Sequence, residues 1–124
     1  MEKRLKPRLL EVIENKYRKR NYEINIRFPE FTCLCPMTSQ PDFAEILIDY
    51  VPGPYLIELK SLKLYLNSYR TEGLFHEEAV NRILDDFIAV VKPRQAEIVG
   101  RFNVRGGIYT NVRAAYPKGK APSQ

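Results

Sequence analysis

At 124 residues, with 44% hydrophobic and 28% charged side chains, the chain has the length and balance of one ordinary soluble globular domain. Its 20 basic against 15 acidic residues give a formal charge of +5, crowded into the first 20 positions and the end of the chain. That distribution fits either an anionic partner or a solvated basic surface, and it lacks the aromatic-rich signature of sequence-specific RNA reading. No stretch reaches the ~20 apolar residues of a membrane span, and residues 1–15 hold no apolar core of the kind a secretory signal needs, so a cytoplasmic protein is expected. A domain this small buries only about two-thirds of its unfolded surface, so a deeply enclosed site is expected to borrow walls from a neighbouring subunit.

Residues 1–20 form a basic segment in which 9–14 fit either a short strand or a helical turn. Residues 22–28 alternate apolar and polar side chains, the period of a half-buried strand, and Pro29 is expected to end it. A loop over 32–41 leads to a second alternating run at 43–51, which stops at Pro52-Gly53-Pro54; the two runs read as an antiparallel pair. From 58 to 69 the period becomes helical, with Leu59, Leu62, Leu66 and Tyr69 on one stripe, and Gly73 interrupts it. A second helix opens near Phe75, carries His76, Glu77 and Glu78 in its first turn and an apolar stripe from Val80 to Val91, and closes before Pro93. Residues 95–104 and 108–115 read as strands joined by the turn Arg105-Gly106-Gly107. The order is ββααββ, an α+β domain over 21–116 whose helices cover one face of a four-stranded antiparallel sheet and whose edge strands need partners, for instance between subunits. Residues 117–124 read as a disordered tail.

Chemistry concentrates in the loop around Cys35-Pro36, where Asp42 follows seven residues after the thiol and pairs a nucleophile with a proton carrier. Free cysteines are more often packing residues, and Cys33 is read as one. The two thiols are expected to diverge rather than form a structural disulfide. His76, the single histidine, stands at a helix start that favours neutral imidazole, suited to relaying a proton or to a plain capping role. Glu77 and Glu78 are also what the helix dipole alone would favour there. One histidine and a C-x-C pair do not make a four-ligand zinc pattern, and no metal is expected. No G-x-G-x-x-G follows a strand, so a dinucleotide would need another mode of binding. Lys60, Lys63 and Arg70, at helical offsets 0, +3 and +10, offer a basic face that fits phosphates or plain solvation.

Read together, Glu58-Leu59-Lys60-Ser61-Leu62-Lys63-Leu64-Tyr65 resembles the signature helix of the QueF nitrile reductases. Pro29-Glu30-Phe31-Thr32, and Leu34-Cys35-Pro36 with Gln40-Pro41-Asp42-Phe43, resemble that family's nucleophile loop. Phe75-His76-Glu77 is similar to its substrate-binding segment and Arg105-Gly106-Gly107 to a further stretch, so the resemblance runs through most of the domain. It implies a tunnelling fold of the short, single-domain type, with subunits joined edge to edge into rings that stack as a decamer and sites between subunits. It implies reduction of 7-cyano-7-deazaguanine to 7-aminomethyl-7-deazaguanine, in queuosine biosynthesis, with NADPH as cosubstrate for each of two hydride transfers. By matching position, Cys35 is the nucleophile, Asp42 the general acid/base, His76 a second proton donor and Glu77 the anchor of the deazaguanine ring. Glu58 and Ser61 fall on the substrate side, while Lys60, Ser61, Lys63 and Arg70 fall toward the cofactor. Two alternatives stay open: a QueF-like branch that forms the amidine archaeosine on tRNA without reduction, and a non-enzymatic basic RNA-binding module. No direct nucleic-acid contact is expected of the reductase.

Overall fold

The computed structural model describes residues 6–117; of the tail expected over 117–124, residues 118–124 lie outside them. Strands β2 (Ile24–Leu34), β3 (Pro41–Val51), β5 (Gln95–Arg105) and β6 (Ile108–Tyr116) form one antiparallel sheet in the order β2-β3-β5-β6, and helices α1 (Leu59–Asn67) and α2 (His76–Val91) fall between its two hairpins in sequence. The ββααββ core is the expected one. The ambiguous segment at 9–14 resolves into a 3-10 turn at Lys6–Leu9 and the short strand β1 (Val12–Glu14). It pairs with a strand the periodicity did not announce, β4 (Tyr55–Ile57), in a separate two-stranded sheet. Three residues are too few to display an alternation, so β4 was legible only through its partner. No helix among the described residues is long and apolar enough to cross a membrane.

Three further expectations need correction. Pro29 does not end β2: the register shifts between Phe28 and Phe31, leaving Pro29 and Glu30 exposed in a bulge. A proline is tolerated there because β2 is an edge strand, and the bulge resets the parity so that Phe31 and Cys33 continue the inward row begun by Ile24, Ile26 and Phe28. The loop expected over 32–41 shrinks accordingly to a tight connection, in which the Cys35 amide donates to the Gln40 carbonyl and the Ser39 amide to the Cys35 carbonyl, each at 2.8 Å. Finally, the two thiols do not diverge by strand alternation, since positions two apart on a strand share a face. What separates them is that β2 stops at Leu34, leaving Cys33 buried and Cys35 beyond the strand end; both thiols are free.

The inward face of the sheet carries Ala44, Ile46, Ile48 and Tyr50 on β3 and Ala96, Ile98 and Phe102 on β5, all buried. Against it α2 presents Ala79, Val80, Ile83 and Phe87, also buried, as its heptad-like stripe required. Burying each of the large side chains contributes roughly 1.5–3 kcal/mol, which makes this interlayer the dominant favourable term. Gly100 lets the helix settle, because a Cβ there would lie 2.6 Å from Val80 Cγ2. Between the helices, the Tyr65 hydroxyl of α1 donates to Asp86 Oδ2 of α2 at 2.5 Å and meets the Tyr69 hydroxyl at 2.7 Å, so the buried carboxylate is hydrogen-bonded. The opposite face of the sheet is mixed, with Glu45 paired to Arg27 on one side and to Arg101 on the other and with Val99, opposite Leu47, buried.

Candidate active site

The turn end of the β2–β3 hairpin becomes a site because a third segment is tied to it. The Leu34 amide donates to the Glu72 carbonyl at 2.8 Å, and the Leu74 amide donates to the Leu34 carbonyl at 3.0 Å, forming a parallel bridge between Leu34 and Gly73. The nucleophile loop is thereby pinned to the residues that lead into α2, and Pro36 packs over Gly73, 3.7 Å from where a Cβ would stand. With Phe75 in extended conformation as its N-cap, α2 then runs across β5 and β6. His76 then reaches Asp42, with Nε2 3.3 Å from Oδ2. Residues 34 apart in sequence meet through two backbone hydrogen bonds.

The two cysteines are chemically distinct. Cys33, opposite Asp42 in the strand register and fully buried, has its thiol pushed up to about 11 by burial first and then by the neighbouring Asp42 and Cys35 charges. Cys35 is half-buried and its pKa is lowered, chiefly by the Thr38 hydroxyl and then by the main-chain amides of Met37 and Thr38, all donating to the sulfur. The loop therefore carries one inert thiol and one poised to ionise. Thr38 is a functional candidate that sequence reading passed over; a hydroxyl three residues after a cysteine in a tight turn is the signal that could have found it.

The remaining candidates divide. Glu77 and the N-capping Phe75 are exposed next to His76, while Glu78 is engaged by Arg82 at 2.8 Å, one helical turn away. Glu58 turns out to be the N-cap of α1: its carboxylate accepts from the amides of Ser61 at 2.7 Å and Lys60 at 2.9 Å, and those two bonds hold its pKa below the usual carboxylate value. Ser61 is buried, its hydroxyl donating to the Glu58 carbonyl at 2.7 Å and accepting from the Glu11 amide at 2.9 Å, so it fastens α1 to the segment before β1 instead of facing solvent. Lys60 and Lys63 are exposed. Arg70 is exposed too, but α1 ends at Asn67 and tightens into a 3-10 turn at Ser68–Thr71, so helical spacing from Lys60 does not carry through to it. Cys35, Asp42 and His76 are thus assembled within one chain; Lys60 and Lys63 belong to a separate outward surface.

Fold and site together define a small α+β domain that brings a thiol of lowered pKa to the same hairpin end as a buried carboxylate bonded to a partly buried imidazole. The family profile described as QueF-like protein matches residues 41–121. Over 109 residues the chain is 57% identical to the NADPH-dependent 7-cyano-7-deazaguanine reductase of Nitrosomonas europaea, covering 88% of this chain and 78% of that one. It is 58% identical to the enzyme of the same name from Nitrosococcus oceani, covering 88% and 84%. Among solved structures, an archaeosine synthase QueF-Like in the apo form superposes with a TM-score of 0.67 at 22% identity over 77% of this chain and 91% of that one, a likeness of fold. The chain belongs to the QueF family, and its fold is the tunnelling fold.

Proposed function

We propose that the chain is an NADPH-dependent 7-cyano-7-deazaguanine reductase that works through a covalent adduct on Cys35. The observation that carries the reading is the pairing of a thiol of lowered pKa with Asp42 and His76 at one hairpin end, in a chain more than half identical to reductases of that name. A nitrile carbon is a poor hydride acceptor. Attack by the Cys35 thiolate, with a proton delivered to the nitrile nitrogen, gives a thioimide that accepts hydride far more readily. Asp42, buried beside the loop and bonded to His76, is the group placed to hold that proton. After the first reduction the C–S bond breaks, returning the thiolate and leaving an imine for the second reduction. Glu77, exposed at the start of α2, is assigned to the ring N–H and amino donors of the deazaguanine, where a carboxylate left unpaired would be costly to bury.

NADPH supplies the hydride when bound. The chain's fit to it lies in Lys60 and Lys63, exposed cations on one turn of α1. The free amides at the helix start are already taken by Glu58, so phosphate recognition falls to the lysine ammonium groups and not to the helix end. Glu58 and Ser61 then act by fixing the first turn of α1, and Arg70 takes a place at the rim. The outward position of Lys60, Lys63 and Glu77, with β2 and β6 as sheet edges, supports sites completed by a neighbouring subunit in stacked rings, a decamer being the assembly to test by light scattering. The free thiol chemistry suits a reducing, cytoplasmic setting.

The deciding experiment is incubation with 7-cyano-7-deazaguanine with and without NADPH. Without cofactor, the adduct appears as a new absorbance and as a mass increase equal to the nitrile substrate. With it, NADPH is consumed at two equivalents per amine formed. Adduct without NADPH loss would favour amidine formation, and no adduct at all would end the reading.

A further inference from the structure

We infer that Phe102 is a positioning residue for the reduction, holding the plane of the His76 imidazole so that Nε2 stays directed at Asp42. The inference rests on the reading of His76 as a proton donor given above.

The observation is a face-to-face contact. The His76 and Phe102 rings lie 3.8 Å apart between centroids and 5° from parallel. An imidazole nitrogen makes its hydrogen bond in the plane of its own ring, so any rotation that tilts the ring swings Nε2 off the carboxylate. The single contact to Asp42, at 3.3 Å, does not by itself prevent that tilt. Phe102 opposes it, because a tilted imidazole would cut into the phenyl face.

Phe102 is itself held still by the sheet. It is 2% exposed and meets Phe31 edge-on, with centroids 6.4 Å apart and planes at 89°. The register explains how two rings fit on neighbouring positions: Ala44 on β3 is opposite Phe31 on β2 and opposite Phe102 on β5, so the residue between them is a methyl group. Gly100, two residues earlier on the same strand, leaves the remaining side open, since a Cβ there would stand 2.9 Å from Phe102 Cε1. Phe31 in turn rests on Tyr69 at 5.5 Å. Asp42 and Ala44 share one face of β3, so the carboxylate and the aromatic platform are built side by side, and α2 sets His76 on both.

The test is a double-mutant cycle on single-turnover and steady-state reduction, using Phe102→Leu, His76→Ala and the pair, with Phe102→Tyr to restore the flat ring. Phe102→Leu is expected to lower kcat about ten- to a hundred-fold with KM within about two-fold of the parent, the effect of a small misplacement of a catalytic group. The loss is expected to vanish in the His76→Ala background and to be largely recovered by Phe102→Tyr, while thermal melts report on folding. If His76→Ala is impaired but Phe102→Leu costs the same factor with or without His76, Phe102 is only a core residue and the inference is overturned. Normal reduction by His76→Ala would remove the proton-donor role, and with it the inference, while leaving the Cys35 adduct to stand on its own experiment. Should Phe102→Leu fail to fold, Phe102→Tyr and Phe102→Met carry the same comparison: a flat ring retained against one lost.

Discussion

The hairpin end that carries Cys35 and the helix start that carries Lys60 are equally dense in candidate residues, yet they are built in opposite ways. At the hairpin end, the side chains turn toward one another: Asp42 bonds His76, Thr38 supports the Cys35 sulfur, and the Leu34–Gly73 bridge locks the segments together. At the start of α1 the polar groups Glu58 and Ser61 are consumed in capping and anchoring, and the cations Lys60 and Lys63 are exposed. One region draws its side chains together within the chain; the other leaves its cations exposed. On the function proposed above, the difference means that attack on the nitrile would need only residues of one subunit, whereas cofactor recognition would draw on a neighbour, an expectation in keeping with the small size of the domain.

The sharpest way to break that division is Cys35→Ala, which is expected to abolish both adduct formation and turnover, whereas Cys33→Ala retains them. Mass spectrometry after incubation with the nitrile reads the first, and NADPH absorbance the second. An adduct on the Cys35→Ala protein would move the reacting centre elsewhere. Next in size is Glu77→Ala. A helix-dipole role alone predicts roughly 0.3–1 kcal/mol of lost stability and normal substrate affinity. A ring anchor loses charge-assisted hydrogen bonds worth roughly 1.5–3 kcal/mol, so nitrile binding weakens by about ten- to a hundred-fold in titration, with Glu78→Ala, already engaged by Arg82, close to the parent.

Replacing Lys60 and Lys63 together by Ala tests the other region. The KM for NADPH is expected to rise by about ten-fold, since exposed cations on phosphate contribute through a screened charge, while the adduct forms at its usual rate. Equal losses in both would show that the two regions are not separable as described. Added salt is expected to imitate the double variant, raising the KM of the parent and leaving that of the variant nearly unchanged.

How much of this was legible in the sequence depended on how far apart in the chain the cause and its effect lie. The inward rows of β3 and β5 and the stripe of α2 repeat over many residues, so periodicity reported them. The bulge at Pro29–Glu30 escaped because a proline reads as a stop unless the strand is known to be at an edge, and edge position is a property of the sheet. β4 escaped because its reason to exist is β1, some 40 residues earlier. Within the site, Cys35 and Asp42 sit on one loop and could be suspected together. The His76 contact depends on the Leu34–Gly73 bridge, and the Phe102 platform depends on register across three strands, neither of which leaves a local mark. Tyr69, read as part of an apolar stripe, proved to join a buried network with Tyr65 and Asp86, because hydrophobic periodicity does not distinguish a tyrosine that packs from one that also bonds.

The smallest effect expected is also the one that most finely separates the two cysteines. Thr38→Val removes the hydroxyl that contributes most to lowering the Cys35 pKa while keeping the β-branched shape and the supporting amides of Met37 and residue 38. The thiolate is the species present above the thiol pKa, so raising that pKa withdraws the nucleophile from the neutral range first. The rate of iodoacetamide alkylation, measured in a Cys33→Ala background so that one thiol remains, is therefore expected to have its midpoint shifted upward and to fall a few-fold at neutral pH. The two curves should converge at alkaline pH, where both thiols are ionised. Adduct formation with the nitrile should follow the same displacement, since it uses the same thiolate. Cys33 offers the internal contrast: with its own pKa pushed up to about 11 by burial, it should stay unlabelled across the neutral range in the native protein and react only on unfolding. A Cys35 midpoint that does not move in Thr38→Val would mean that the loop amides alone set its reactivity.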